Sequence, residues 1–123
     1  VTVNIPPAEH RIMEALWARG PLTLEAIVLE VADQNWGLAT VRTLIHRLQK
    51  REAIRSEKVE GRVRYRPVLA RDDYLETESQ GLLDRLFGGR LMPLVAHFAE
   101  RKALSPEEIA RLRALLDELD RGR

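Results

Sequence analysis

The chain has 123 residues, 45% hydrophobic and 32% charged, with a formal net charge of +1 and no cysteine. That length holds one domain with a real core, or a small domain plus an oligomerisation element, but not two full domains. The composition is that of a soluble globular chain, and the missing cysteine removes disulfides, thiolate metal sites and cysteine nucleophiles together.

Val1 to Pro6 reads as a short lead-in, and Pro7 sits where a first helical turn accepts proline. The amino terminus lacks the basic-then-apolar layout of a signal peptide, and no apolar run nears the roughly 20 residues that span a bilayer. A cytoplasmic protein with no membrane partner is therefore expected. Ile12, Met13, Leu16 and Trp17 make one apolar side of a helix that Gly20-Pro21 ends. Thr23 suits the N-cap of a second helix with Leu24, Ile27, Val28 and Val31 inward. Asp33 to Gly37 breaks that helix, and Gly37 can cap a third running to about Arg51.

In the third helix Val41, Leu44, Ile45 and Leu48 fall at i, i+3, i+4 and i+7, a single apolar stripe. The opposite side carries Ala39, Thr43, His46 and Lys50, flanked by Arg42 and Arg47. Small side chains allow close approach, threonines can touch base edges or phosphates, and arginines can grip guanine or phosphate bidentately. A solvated helix face is the plainer reading, so the neighbours decide.

Beyond that helix the period changes from 3.6 to 2. Ile54, Ser56 and Lys58 alternate with Arg55 and Glu57, Glu60-Gly61 turns the chain, and Val63 and Tyr65 alternate with Arg62, Arg64 and Arg66. This predicts a β-hairpin with one side on the helices and three arginines on the other; the alternative is an edge strand kept soluble by charge. From Arg42 to Arg66 there are nine Lys/Arg against three Asp/Glu, whereas Arg71 to Arg123 holds nine against eleven. The cations are local, as a footprint for a polyanion should be. Three helices and a hairpin in this order make a mainly α, winged helix-turn-helix DNA-binding domain over residues 1–70.

Residues 71–123 read as a helical dimerisation domain. Tyr74, Leu75, Leu82, Leu83, Leu86 and Phe87 give one stripe, interrupted by Gly88-Gly89, and Leu91, Leu94, Val95 and Phe98 give another with Pro93 in its first turn. Ser105-Pro106-Glu107-Glu108 is a capping-box start, after which Ile109, Leu112, Leu115, Leu116 and Leu119 continue the apolar face. About 50 residues cannot hide three leucine faces alone, and a symmetric dimer would close them.

The order of these elements, with Ala8-Glu9 leading into Ile12-Met13-Glu14-Ala15-Leu16-Trp17, then Thr40-Val41-Arg42-Thr43-Leu44-Ile45-His46-Arg47-Leu48, Glu60-Gly61-Arg62-Val63-Arg64-Tyr65 and Asp73-Tyr74, resembles the BlaI/MecI penicillinase repressor family over nearly the whole chain. The resemblance implies a homodimeric winged-helix repressor on a palindromic operator, commonly of β-lactam resistance genes, answering to a sensor protease or a small-molecule inducer. Family DNA contacts would map onto Thr40, Arg42, Thr43 and Arg47, and onto Arg62 and Arg64 in the wing. Where well-known members are cleaved at an Asn-Phe bond, this chain has His97-Phe98; the phenylalanine is kept and the asparagine is not, which bears on both cleavage and the β-lactam signal. Copper-responsive relatives use a carboxy-terminal cysteine cluster, a device closed to a chain without cysteine.

No catalytic constellation is legible. His10, His46 and His97 stand 36 and 51 residues apart, without metal-ligand spacing, and Ser56, Ser79 and Ser105 occupy no nucleophile elbow. No enzyme activity, cofactor or metal is expected. The competing functions are a protein-interaction module on a winged-helix scaffold, disfavoured by the basic segment, and an RNA-binding protein, disfavoured by only six aromatic residues for stacking.

Overall fold

The computed structural model describes residues 4–122; Val1 to Val3 of the expected lead-in, and Arg123, lie outside them. Helix α1 (Pro7–Arg19) begins at Pro7 and closes at Gly20, whose φ of 81° is open to glycine without strain. Strand β1 (Leu22–Thr23) precedes α2 (Leu24–Glu30), and the Thr23 hydroxyl accepts the Ala26 amide at 3.2 Å, the cap its position predicts. A short 3-10 turn, Ala32–Gln34, then leads to α3 (Leu38–Lys50), capped by Gly37. Strands β2 (Ile54–Val59) and β3 (Arg62–Pro67) follow. Helices α4 (Arg71–Leu86), α5 (Leu91–Glu100) and α6 (Pro106–Arg121) complete the chain.

The chain divides into two compact units between Glu78 and Ser79, within α4. The first has the winged helix-turn-helix order: three helices against a three-stranded antiparallel sheet arranged β1-β3-β2. Its core joins Ile12, Met13 and Leu16 of α1, Ile27 of α2, the predicted stripe Val41, Leu44, Ile45 and Leu48 of α3, and Ile54 of β2. The sheet has one strand more than the sequence suggests, because Leu22 pairs with Tyr65 and Thr23 with Arg64. Strand β3 is therefore central, not an edge.

Two further features of this unit depart from expectation. Glu9 is buried at 2% exposure and pairs with Arg51. Tyr74, read as part of the dimerisation surface, is a core residue here: its ring stacks on His10 at 5.4 Å and lies 5.6 Å from Trp17, whose indole N–H donates to the Leu69 carbonyl at 2.8 Å. The apolar stripe of α4 runs through both units, and its first member packs on α1.

In the second unit the end of α4 closes with Gly88 and Gly89 in the left-handed region, the Gly89 amide returning to the Leu83 carbonyl at 2.8 Å. Helix α6 opens on the predicted capping box, Ser105 and Glu108 each accepting the other's backbone amide. No residue described from Ser79 onward is buried. Leu86, Leu91, Leu116 and Leu119 are all more than half exposed. No described helix is long and apolar enough to cross a membrane.

Candidate nucleic-acid interface

Burying Val41, Leu44, Ile45 and Leu48 turns the other side of α3 outward by helical geometry alone. Ala39, Thr40, Arg42, Thr43, His46, Arg47 and Lys50 are all exposed. Thirteen residues make a rod of about 20 Å, of a size that a major groove admits. No acidic residue occupies its first turn, so the positive end of its dipole meets no carboxylate of its own helix there. Thr43 Oγ1 donates to the Ala39 carbonyl at 3.0 Å, which engages its proton and leaves lone pairs and a methyl for a partner.

On the hairpin, Val59 faces Arg62, Glu57 faces Arg64 and Arg55 faces Arg66 across the strands. Cross-strand partners share a face, so the three predicted arginines do lie on one side. Arg62 is exposed and Arg64 half-buried. Because β1 pairs with β3 at Arg64 and Tyr65, protection of a free edge does not explain Arg64. Arg55, on the neighbouring strand and the same face, belongs with them; the alternation of the hairpin carries that signal, once the register is known.

Ion pairing separates structural cations from free ones. Arg11 binds Asp33 at 2.8 Å, Arg19 binds Glu30 at 3.2 Å, Arg51 binds Glu9 at 2.7 Å, Arg66 reaches Glu57 at 3.5 Å and Arg71 reaches Glu14 at 3.6 Å. Among the described residues, Arg42, Arg47, Lys50, Arg55, Lys58, Arg62 and Arg64 have no carboxylate within 4.0 Å. Arg42 from α3 and Arg62 from β3 line one cleft of about 440 Å3, together with Thr23, Glu25, Val63 and Tyr65. Two free guanidinium groups from separate elements thus meet over one surface, with the flexibility and fork geometry that phosphate and guanine edges accept.

The displaced proton affinities belong to the scaffold. Hydrogen bonds from Arg11 and then Gln34 hold the Asp33 carboxyl below its usual range, where Arg11 also donates to the Glu30 carbonyl at 3.0 Å. Burial, and then Glu78, push the Tyr74 phenol up. Of the other sequence candidates, Leu82 and Phe87 are half-buried, Leu75 is exposed, and Leu94, Val95, Phe98, Leu112 and Leu115 line one apolar groove of about 470 Å3 in the second unit. His97 and Phe98 are exposed within α5. Among the described residues no three His, Asp or Glu side chains gather as a metal site.

A family model described as penicillinase repressor matches residues 5–118. The chain is 34% identical over 117 residues to the penicillinase repressor of Bacillus licheniformis, covering 94% of this chain and 91% of that protein. It is 32% identical over 120 residues to the penicillinase repressor of Staphylococcus aureus, covering 97% and 95%. To the methicillin resistance regulatory protein MecI of Staphylococcus aureus strain N315 it is 30% identical over 117 residues, covering 94% and 95%.

Proposed function

The chain belongs to the penicillinase repressor family, a family of transcriptional repressors and not of enzymes, and on that premise we propose that it binds a palindromic operator as a homodimer. The observation that carries this reading is the meeting of unpaired Arg42 and Arg62 over one cleft beside the exposed face of α3. In it, α3 enters the major groove, with Thr40, Arg42, Thr43 and Arg47 toward base edges and nearby phosphates, and Ala39, His46 and Lys50 along the same wall. Arg62 and Arg64 take backbone beside the groove. The relatives' names, penicillinase and methicillin resistance, support β-lactam resistance genes as the regulated set.

Release from the operator by a sensor protease at His97-Phe98 would require α5 to open first, because that bond lies inside the helix. A small-molecule inducer is the other route.

Selection of binding sequences from random duplex DNA tests the proposal. The recovered site should be an inverted repeat with half-sites about one helical turn apart. Arg42→Ala should relax preference at its base pair by about 1–3 kcal/mol. Arg62→Ala should weaken binding to all sequences evenly and lower the salt slope by about 1. Equal affinity for the recovered repeat and for random duplex at physiological salt would sink the proposal.

A further inference from the structure

The join between α3 and β2, Arg51 to Ala53, is held by the backbone on both sides. The Ala53 amide returns to the Leu48 carbonyl at 3.0 Å, and the Ala53 carbonyl accepts the Val68 and Leu69 amides at 2.8 and 3.1 Å. These bonds set Val68 against the start of β2. Beside them opens a cleft of about 470 Å3, lined by Gln49, Glu52, Ile54, Arg55, Ser56 and Val68. Small-molecule sites run from about 300 to 1,000 Å3, so the cleft has the volume of one. Because β2 pairs only with β3, it forms the edge of the sheet, and no further strand of the sheet covers this side.

The polar side chains of the cleft are all unengaged. Among the described residues, Gln49, Glu52, Arg55 and Ser56 make no side-chain hydrogen bond. Neither Glu52 nor Arg55 has an opposite charge within 4.0 Å. A carboxylate and a guanidinium therefore line one cleft without meeting each other. Glu52 also holds φ at 62°, a conformation that glycine would adopt without strain. Strained backbone of this kind gathers where ligands are held.

We infer that this cleft binds a free amino acid with an apolar side chain. Glu52 takes the ammonium group, and Arg55 takes the carboxylate through its fork. Gln49 and Ser56 supply further hydrogen bonds, and the ligand's side chain lies against Ile54 and Val68, the second of which is 47% exposed. The pattern of charge selects for a zwitterion. A simple anion, or a polyanion such as nucleic acid, would meet the Glu52 carboxylate, and a simple cation would meet the Arg55 guanidinium. Only a molecule that carries both signs satisfies both walls. The inference does not depend on the repressor reading.

Backbone-amide NMR of the full chain, titrated with L-leucine, tests it. Ion pairs in contact with water are individually weak, so saturation is expected in the millimolar range, with the shifts gathered at Gln49 to Ser56 and at Val68. L-Leucinamide, which lacks the carboxylate, and N-acetyl-L-leucine, which lacks the ammonium group, should each bind about fivefold more weakly. Glu52→Gly removes the charge and the backbone strain together, so the chain should keep its fold with Tm level or raised, yet bind L-leucine about fivefold more weakly. Arg55→Ala should weaken L-leucine to the same degree and leave L-leucinamide unchanged, since that ligand has no carboxylate to lose. No shift at these residues with about 50 mM L-leucine would overturn the inference. Equal binding of the three ligands, or a Glu52→Gly chain that binds L-leucine undiminished, would do the same. None of these outcomes bears on operator binding, which the selection experiment decides separately.

Discussion

Glu9 shows how a single buried carboxylate organises the ends of two elements. It accepts the Arg51 Nε–H at 2.7 Å, and Arg51 in turn donates to the Asn4 carbonyl at 2.7 Å, so one guanidinium ties the lead-in and α1 to the end of α3. Breaking a fully buried pair by removing one partner costs about 3–5 kcal/mol, and Arg51 keeps enough solvent contact that about 2 kcal/mol is expected for Glu9→Ala. Glu9→Gln, which retains a neutral acceptor, should lose less. Urea unfolding of the three chains measures this, and a Glu9→Ala loss under 0.5 kcal/mol would show that the pair holds nothing in place. The residue was legible in the sequence only as part of the first turn of the first helix, because a glutamate carries no sign of burial until its arginine, 42 positions on, is brought to it.

At the scale of elements, α3 was legible almost completely: its stripe, its glycine cap and its end all follow from spacing and from local chemistry. Strand β1 was not, since two residues have no period and Leu22–Thr23 owes its strand character to Tyr65 and Arg64 across the sheet. The two-residue turn of the hairpin was legible from Glu60-Gly61, but at a cost the sequence also reveals. Both turn residues adopt positive φ, 52° and 80°, the geometry that favours Asn-Gly. Glu52, which ends α3 at φ 62°, stands in a position that usually holds glycine. A side chain in the left-handed region costs about 1–2 kcal/mol that glycine avoids. Glu60→Asn and Glu52→Gly should therefore each stabilise the chain by about 1 kcal/mol, read as a rise of a few degrees in Tm. A fall in Tm for both would show that the glutamates make contacts worth more than the backbone strain. The charge pattern of the site was legible as a surplus between Arg42 and Arg66, but not which cations were free: Arg51 and Arg66 are held by glutamates that only the fold brings close.

At the scale of the whole molecule, the second unit poses the sharpest thermodynamic problem. Its helices are well capped, yet no described residue from Ser79 onward is buried, and Leu94, Val95, Phe98, Leu104, Leu112 and Leu115 wall an open groove with Glu107, Glu108 and Arg111 at its margin. Fully burying one leucine is worth about 1.5–3 kcal/mol, so this surface forgoes much of the stabilisation it could supply. Under the proposed homodimer, a second copy of the chain meeting it through the same patch would recover that stabilisation and would present two copies of α3 to a two-fold operator. The reading makes a linked set of expectations. The wild-type chain should sediment at twice the mass of one chain at micromolar concentration, and its Tm should rise with concentration. Leu112→Glu, which sets a carboxylate in the groove, should sediment as a single chain with a Tm independent of concentration. Its affinity for the inverted repeat should fall by about 100-fold or more, because each half-site must then be held without the tether that makes the second contact intramolecular. Its affinity for a single half-site should stay close to wild type, since α3 and the wing lie in the other unit. A wild-type chain that sediments alone at tens of micromolar, or a Leu112→Glu chain that binds the repeat undiminished, would detach operator binding from the leucine groove.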